Sequence, residues 1–212
     1  MSRRRVAGSG RLARMAAGAI ALTGLAGLAV QFSASLDLAG SPGAALWAML
    51  RYFTILGNLL AVLAMAGITL GLRIAARPAA HGGIALLMLL IGIVYATLLR
   101  GMLSLSGGAR LADMLLHEAM PLLVALHWLF FARKGGLAAR DVPKWAAIPL
   151  VYALYALGRA AMDGRYPYPF MDVAALGWGQ VLLNLGAIAL GFLLGGAILF
   201  WIDQILGRGS RR

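Results

Sequence analysis

No cysteine occurs in the 212 residues. Disulfides, thiolate metal ligands and cysteine nucleophiles are therefore excluded. Charge is scarce too: only 12% of residues are Asp, Glu, Lys or Arg, where a soluble domain carries about 25%. Acids are scarcest, 7 against 19 Lys and Arg, and there are only 3 histidines. No His/Asp/Glu cluster has zinc spacing, and no glycine-rich phosphate loop is present. His117 and His127 share one apolar segment and point to different faces, an unsuitable arrangement for axial haem ligands. No metal and no cofactor is expected. No polar stretch is long enough for a separate soluble domain.

What is present is apolar. Hydrophobic residues make up 62% of the chain, and mean hydropathy is +0.86. The charges fall between apolar runs, which indicates an all-α, multi-pass membrane protein. Six apolar segments are readable, at about 14–31, 46–72, 83–105, 111–132, 143–159 and 173–202. The fifth is the shortest. The sixth is longer than a bilayer needs, so tilt or extension into water is expected. The expected organisation is one domain: a basic arm over 1–13, a six-helix bundle over 14–203 and a basic tail over 204–212. Arg3 to Arg5 and "SAS" at 33–35 hint at a signal peptide. The first apolar run is longer than a signal h-region of roughly 7–15 residues, so an uncleaved first helix is expected.

The net charge of +12 is not spread as a nucleic-acid surface would be. One set of loops and both tails hold 14 of the 19 Lys and Arg against Asp141 and Asp203. The opposite side balances Arg51, Arg100, Arg110, Arg159 and Arg165 against Asp37, Asp113, Glu118, Asp163 and Asp172. The positive-inside rule then places both termini in the cytoplasm of a cell membrane. The balanced set lies at the outer edge. Singly these charges read as helix-end salt bridges, and together they suggest a polar cavity open to the outside.

"RYFTILGN", residues 51–58, puts Arg51, Thr54 and Asn58 on one helical stripe. Thr54 lies roughly 12 Å deep in the second span, and His117 lies roughly 9 Å deep in the fourth. His127 lies about 15 Å deeper still, rotated by about 80°. Depth therefore pairs Thr54 with His117. Asp113 precedes His117 by four residues and can orient its ring, while Pro121 frees a carbonyl nearby. His81 falls in a cytoplasmic loop, where a surface position is expected. "GRAAMDGRYPYPFMD", residues 158–172, reads equally as an interfacial aromatic belt and as a lid.

"FTILGN", "LLHEAMP" and "YPYPFMD", in that order and in a six-span context, resemble the Pr6Pr family of bacterial six-span membrane proteins. That family is similar to the eukaryotic androgen-induced protein and the androgen-dependent TFPI-regulating protein. The resemblance covers about residues 14–203. It implies hydrolysis of fatty acid esters of hydroxy fatty acids, or similar amphiphilic esters, with Thr54 as nucleophile and His117 as base. Asp113 or Glu118 would then fix the His117 tautomer. Asn58, or an amide freed near Pro121, would donate to the oxyanion. Arg51, Arg100 or Arg159 would hold a lipid carboxylate. Tyr168 and Asp172 in the third motif complete the supporting set. The expected partners are membrane lipids and a lipid-like ester, with neither nucleic acid nor metal. Two other classes fit the same residues: a carrier or binder of lipids or small amphiphiles, and a scaffold whose polar groups only join helices.

Overall fold

The computed structural model describes residues 3–102 and 104–209, with side chains described from Gly10 to Arg208. Arg3 to Arg5, Arg211 and Arg212, which carry part of the basic arm and tail, therefore lie outside the described side chains. The described chain is helical without strands: α1 (Arg3–Ala39), α2 (Pro42–Met49), α3 (Phe53–Thr69), α4 (Pro78–Val94), α5 (Gly107–Met114), α6 (Met120–Phe131), α7 (Asp141–Asp163) and α8 (Val173–Gly209). A π-helical turn, Tyr95–Leu99, continues α4, and a second, Leu115–Ala119, joins α5 to α6. A 3-10 turn, Pro169–Met171, precedes α8.

Five of these helical stretches are long and apolar enough to cross a membrane, or six if the bent pair α2 and α3 counts as one. Their outer faces are apolar as well. Leu182, Leu183, Leu194, Ile198 and Trp201 of α8 are all exposed, a surface that suits lipid rather than water. The fifth segment, thin by sequence, is a helix of 23 residues that tolerates Pro149 in its interior and ends at Gly164, φ 70°. The sixth bends at Gly177, whose φ of 74° and ψ of 160° are not helical.

α1 runs along α3, α5 and α6. Glycine permits this approach. A Cβ on Gly24 would stand 2.5 Å from Val62 Cγ2 and 2.8 Å from the Met120 methyl. Small residues let helix backbones close to van der Waals contact where lipid supplies no hydrophobic drive. The centre is filled by Met65, Leu87, Met88, Leu116, Met120 and Val124, all fully buried.

The second span is not straight. α2 and α3 meet at 94° around Leu50 to Tyr52. Such a break leaves carbonyls without helical partners, and away from water they must be satisfied. Two tyrosines of α7 do this: Tyr155 donates to Leu50 O at 3.0 Å and Tyr152 to Arg51 O at 2.8 Å. The Arg51 guanidinium meets both carboxylate oxygens of Asp163, at 2.9 and 2.5 Å, and donates to Arg165 O at 2.6 Å. Thr54 therefore stands in the first turn of α3 instead of deep within a continuous span.

His81 corrects a second expectation. It is buried in the first turn of α4, 5% exposed, against His127 of α6. His127 Nε2 contacts Ala13 O at 3.0 Å, and its Nδ1 contacts His81 Nε2 at 3.0 Å. In a neutral His127 the Nε2 proton goes to the carbonyl, so His81 donates to Nδ1. Pro78, at the start of α4, is the signal that would have placed His81 inside a helix. His81→Ala removes that donor and leaves His127 unsatisfied, an expected loss of about 1–3 kcal/mol. Thermal denaturation in detergent should show a lowered midpoint, with a smaller drop for His81→Gln, which keeps a donor.

Candidate functional site

Pro121 organises the site before any catalytic group is considered. In the π turn the main-chain bonds skip five residues, and Met120 N–H bonds Leu115 O. The next residue, Pro121, has no N–H, so Leu116 O loses its π-register donor. Asn58 of α3 supplies the replacement. Its side-chain amide donates to Leu116 O at 3.1 Å and to Thr54 O at 2.9 Å. A carbonyl freed near the histidine was expected from Pro121, and Leu116 is the one. Asn58 thus bolts the start of α3 to the turn that carries His117. Both its amide protons are used, so it does not serve as an oxyanion donor. Its Oδ1 is buried without a partner.

With α3 so fixed, the Thr54 hydroxyl lies 3.1 Å from His117 Nε2. On the far side of the ring, Nδ1 lies 2.9 Å from Asp113 Oδ1 and 3.2 Å from Asp113 main-chain O. Both are acceptors, so Nδ1 carries the ring proton and Nε2 presents its lone pair to Thr54. The other carboxylate oxygen, Oδ2, accepts a hydrogen bond from the Tyr95 hydroxyl. The Tyr95 ring also stacks on His117, with centroids 4.3 Å apart and planes at 15°. Tyr95 was not among the residues singled out by sequence. Its signal was a phenol near the middle of the apolar third segment, where a buried hydroxyl needs a hydrogen-bond partner. The two π turns face each other here: one begins at Tyr95 and the other holds His117.

Thr54 borders a cavity of about 50 Å³ between α3, α4, α7 and α8. Its walls are mostly apolar, with Phe53, Ile91, Tyr152 and Phe192 among them. The segment before α8 covers it: Tyr168, Phe170 and Met171 all line the space. That segment is pinned by Asn184, which donates to Phe170 O at 2.9 Å, and by Asp172, which accepts the Ala175 N–H at 3.0 Å. The aromatic loop therefore serves as a lid. Tyr168 stacks on Phe170, with centroids 5.1 Å apart, and its hydroxyl accepts the Thr54 main-chain N–H at 3.4 Å.

Several expected roles are not met. The cavity is apolar, not polar, and charges expected at the outer edge pair with one another: Arg51 with Asp163, and Arg100 with Glu118 at 3.1 Å. Glu118 points to that exposed pair, so Asp113 alone of the two acids orients His117. Arg51 is occupied by Asp163, and Arg100 lies with Glu118 on the surface. Arg159 packs over the Trp47 ring at 3.8 Å and donates to Trp47 O and the Tyr155 hydroxyl. None of the three arginines lines the cavity. Arg51 and Arg159 instead hold the α2–α3 break and its neighbours. Among the described residues no group of three or more His, Asp or Glu could hold a metal ion. No protein-family model, no curated protein and no solved structure matches this chain.

Proposed function

We propose that this chain is an intramembrane ester hydrolase with Thr54 as nucleophile, His117 as general base and Asp113 as the group that orients it. One observation carries the reading: a hydroxyl, an imidazole and a carboxylate in hydrogen-bonded series, with Thr54 among the residues that line an apolar cavity. A threonine hydroxyl is a weak nucleophile until a base within about 3 Å takes its proton. His117 Nε2 does so as Thr54 Oγ attacks the ester carbonyl carbon. The carbonyl π pair moves onto oxygen, giving a tetrahedral adduct. The pair returns as the ester C–O bond breaks, and the alcohol leaves with the proton from His117. Water then attacks the acyl-threonine, giving a proton to His117, and the released Thr54 oxygen takes it back. Asp113 stabilises the transient imidazolium throughout.

An apolar acyl chain suits the walls supplied by Leu90, Leu185 and Ile188. Together with the resemblance to the Pr6Pr family, this favours lipid-like esters, among them fatty acid esters of hydroxy fatty acids. In this reading α2 and α3 form one broken span. The chain then crosses a cell membrane six times, with its basic arm and tail in the cytoplasm, and the lid and Thr54 lie toward the outer face.

The test is covalent. The full chain, in detergent or nanodiscs, is treated with a fluorophosphonate, and the modified residue is mapped by peptide mass. A single adduct on Thr54, with turnover of an ester panel, is expected. An adduct elsewhere, or none, refutes the reading.

A further inference from the structure

A tetrahedral adduct on Thr54 needs donors for its oxyanion, and Asn58, the side chain closest in sequence, has none to spare. Two other groups belong to residues that line the cavity. The first is the Thr54 main-chain N–H. It lies in the first turn of α3, where amides have no partner within the helix. Its bond to the Tyr168 hydroxyl is long, 3.4 Å, near the limit at which such a bond holds. The second is that hydroxyl. Because its oxygen accepts from Thr54, its own proton remains to be donated. Burial beneath the lid raises the Tyr168 phenol above its ordinary value, so it stays protonated at neutral pH.

We propose that the Thr54 N–H and the Tyr168 hydroxyl form the oxyanion hole of this site, which makes Tyr168 a catalytic residue. The proposal rests on the hydrolase reading above. As Thr54 Oγ bonds to the carbonyl carbon, the carbonyl oxygen gains the π pair. It settles beside the 3.4 Å gap between the two groups, taking the Thr54 N–H from its long bond to the phenol, and the phenol, its ring unmoved, turns its proton to the same oxygen. No proton is transferred in this step: two hydrogen bonds form to the new anion, and one long hydrogen bond is given up. The lid has a chemical role as a result. Phe170 stacked on one face of the phenol, and the edge contact with Tyr52 at 5.9 Å, fix the ring. Such pre-set donors cost no reorganisation when charge develops.

The experiment compares the full chain with Tyr168→Phe, which keeps the ring and its stacking. Turnover of p-nitrophenyl butyrate is measured with inhibition by butylboronic acid, which forms a tetrahedral anion on a hydroxyl nucleophile. Loss of one oxyanion donor costs about 10²–10³-fold in kcat. The expected result is that loss with KM changed less than about threefold, and boronate inhibition weakened by a similar factor. A variant within about threefold of the parent in kcat overturns the proposal while leaving the nucleophile assignment intact. So does equal weakening of the boronate and of 2-hexanone, a neutral ketone used as a ground-state competitor, because that pattern marks a lid that has merely shifted. If the parent neither turns over ester nor forms a Thr54 adduct, the hydrolase reading itself falls and this proposal falls with it.

Discussion

Thr54→Ala is expected to lose at least about 10³-fold in ester turnover and all fluorophosphonate labelling, because removing a nucleophile leaves only binding and oxyanion stabilisation. The side chain is buried, 6% exposed, so a structural effect must be separated from a chemical one. Two companion variants do this. Thr54→Ser keeps the hydroxyl and deletes one methyl, worth about 0.8 kcal/mol of burial. It should retain activity within about tenfold. Thr54→Val keeps the shape and deletes the hydroxyl, which strands the His117 lone pair at a cost of about 1–3 kcal/mol. It should be as inactive as Thr54→Ala. If Thr54→Ala and Thr54→Val label like the parent, the threonine is a packing or binding residue. The carrier class then becomes the better account of the cavity.

The helical, membrane-compatible class was legible because it depends on composition and run length, which every window of the sequence carries. The meeting of Thr54 with His117 was legible for a partly different reason from the one that suggested it. Depth matching assumed a straight second span, whereas the chain turns by 94° just before Thr54. Hydropathy averaged over Leu46 to Leu72 cannot report that turn. What permits it lies about a hundred residues away, in Tyr152, Tyr155 and Asp163 of α7. The stripe of Arg51, Thr54 and Asn58 is thus three separate devices: an ion pair that holds the break, a candidate nucleophile, and an amide that satisfies the carbonyl stranded by Pro121. The charges expected at the outer edge misled as a group because a count of acids and bases does not say which pairs close. Tyr95 was illegible because its role needs two π turns facing each other, and π turns leave no periodicity to read.

Asp113→Asn is expected to be more damaging than Asp113→Ala, although it is the smaller change. The Tyr95 hydroxyl donates to Asp113 Oδ2 and so selects an oxygen at that position. In the amide variant the carbonyl oxygen takes that place, and the NH₂ falls where Oδ1 now stands, 2.9 Å from His117 Nδ1. Two donors cannot share that contact, so the ring proton moves to Nε2, and the lone pair that faced Thr54 is lost. A wrong tautomer of this kind costs about 10⁴-fold in kcat in the serine-protease triad, and a loss of about 10³–10⁴-fold is expected here. Asp113→Ala imposes no donor. The Asp113 main-chain O, 3.2 Å from Nδ1, remains to accept the ring proton. The correct tautomer survives without its countercharge, and the expected loss is about 10²-fold. A double variant with Tyr95→Phe supplies the decisive measurement. Without the phenol the amide is free to flip, so Asp113→Asn should recover part of its loss, about tenfold or more, a coupling that only interacting residues show. If Asp113→Ala proves the worse of the two, or if the second substitution restores nothing, the carboxylate acts through its charge alone and the tautomer argument fails.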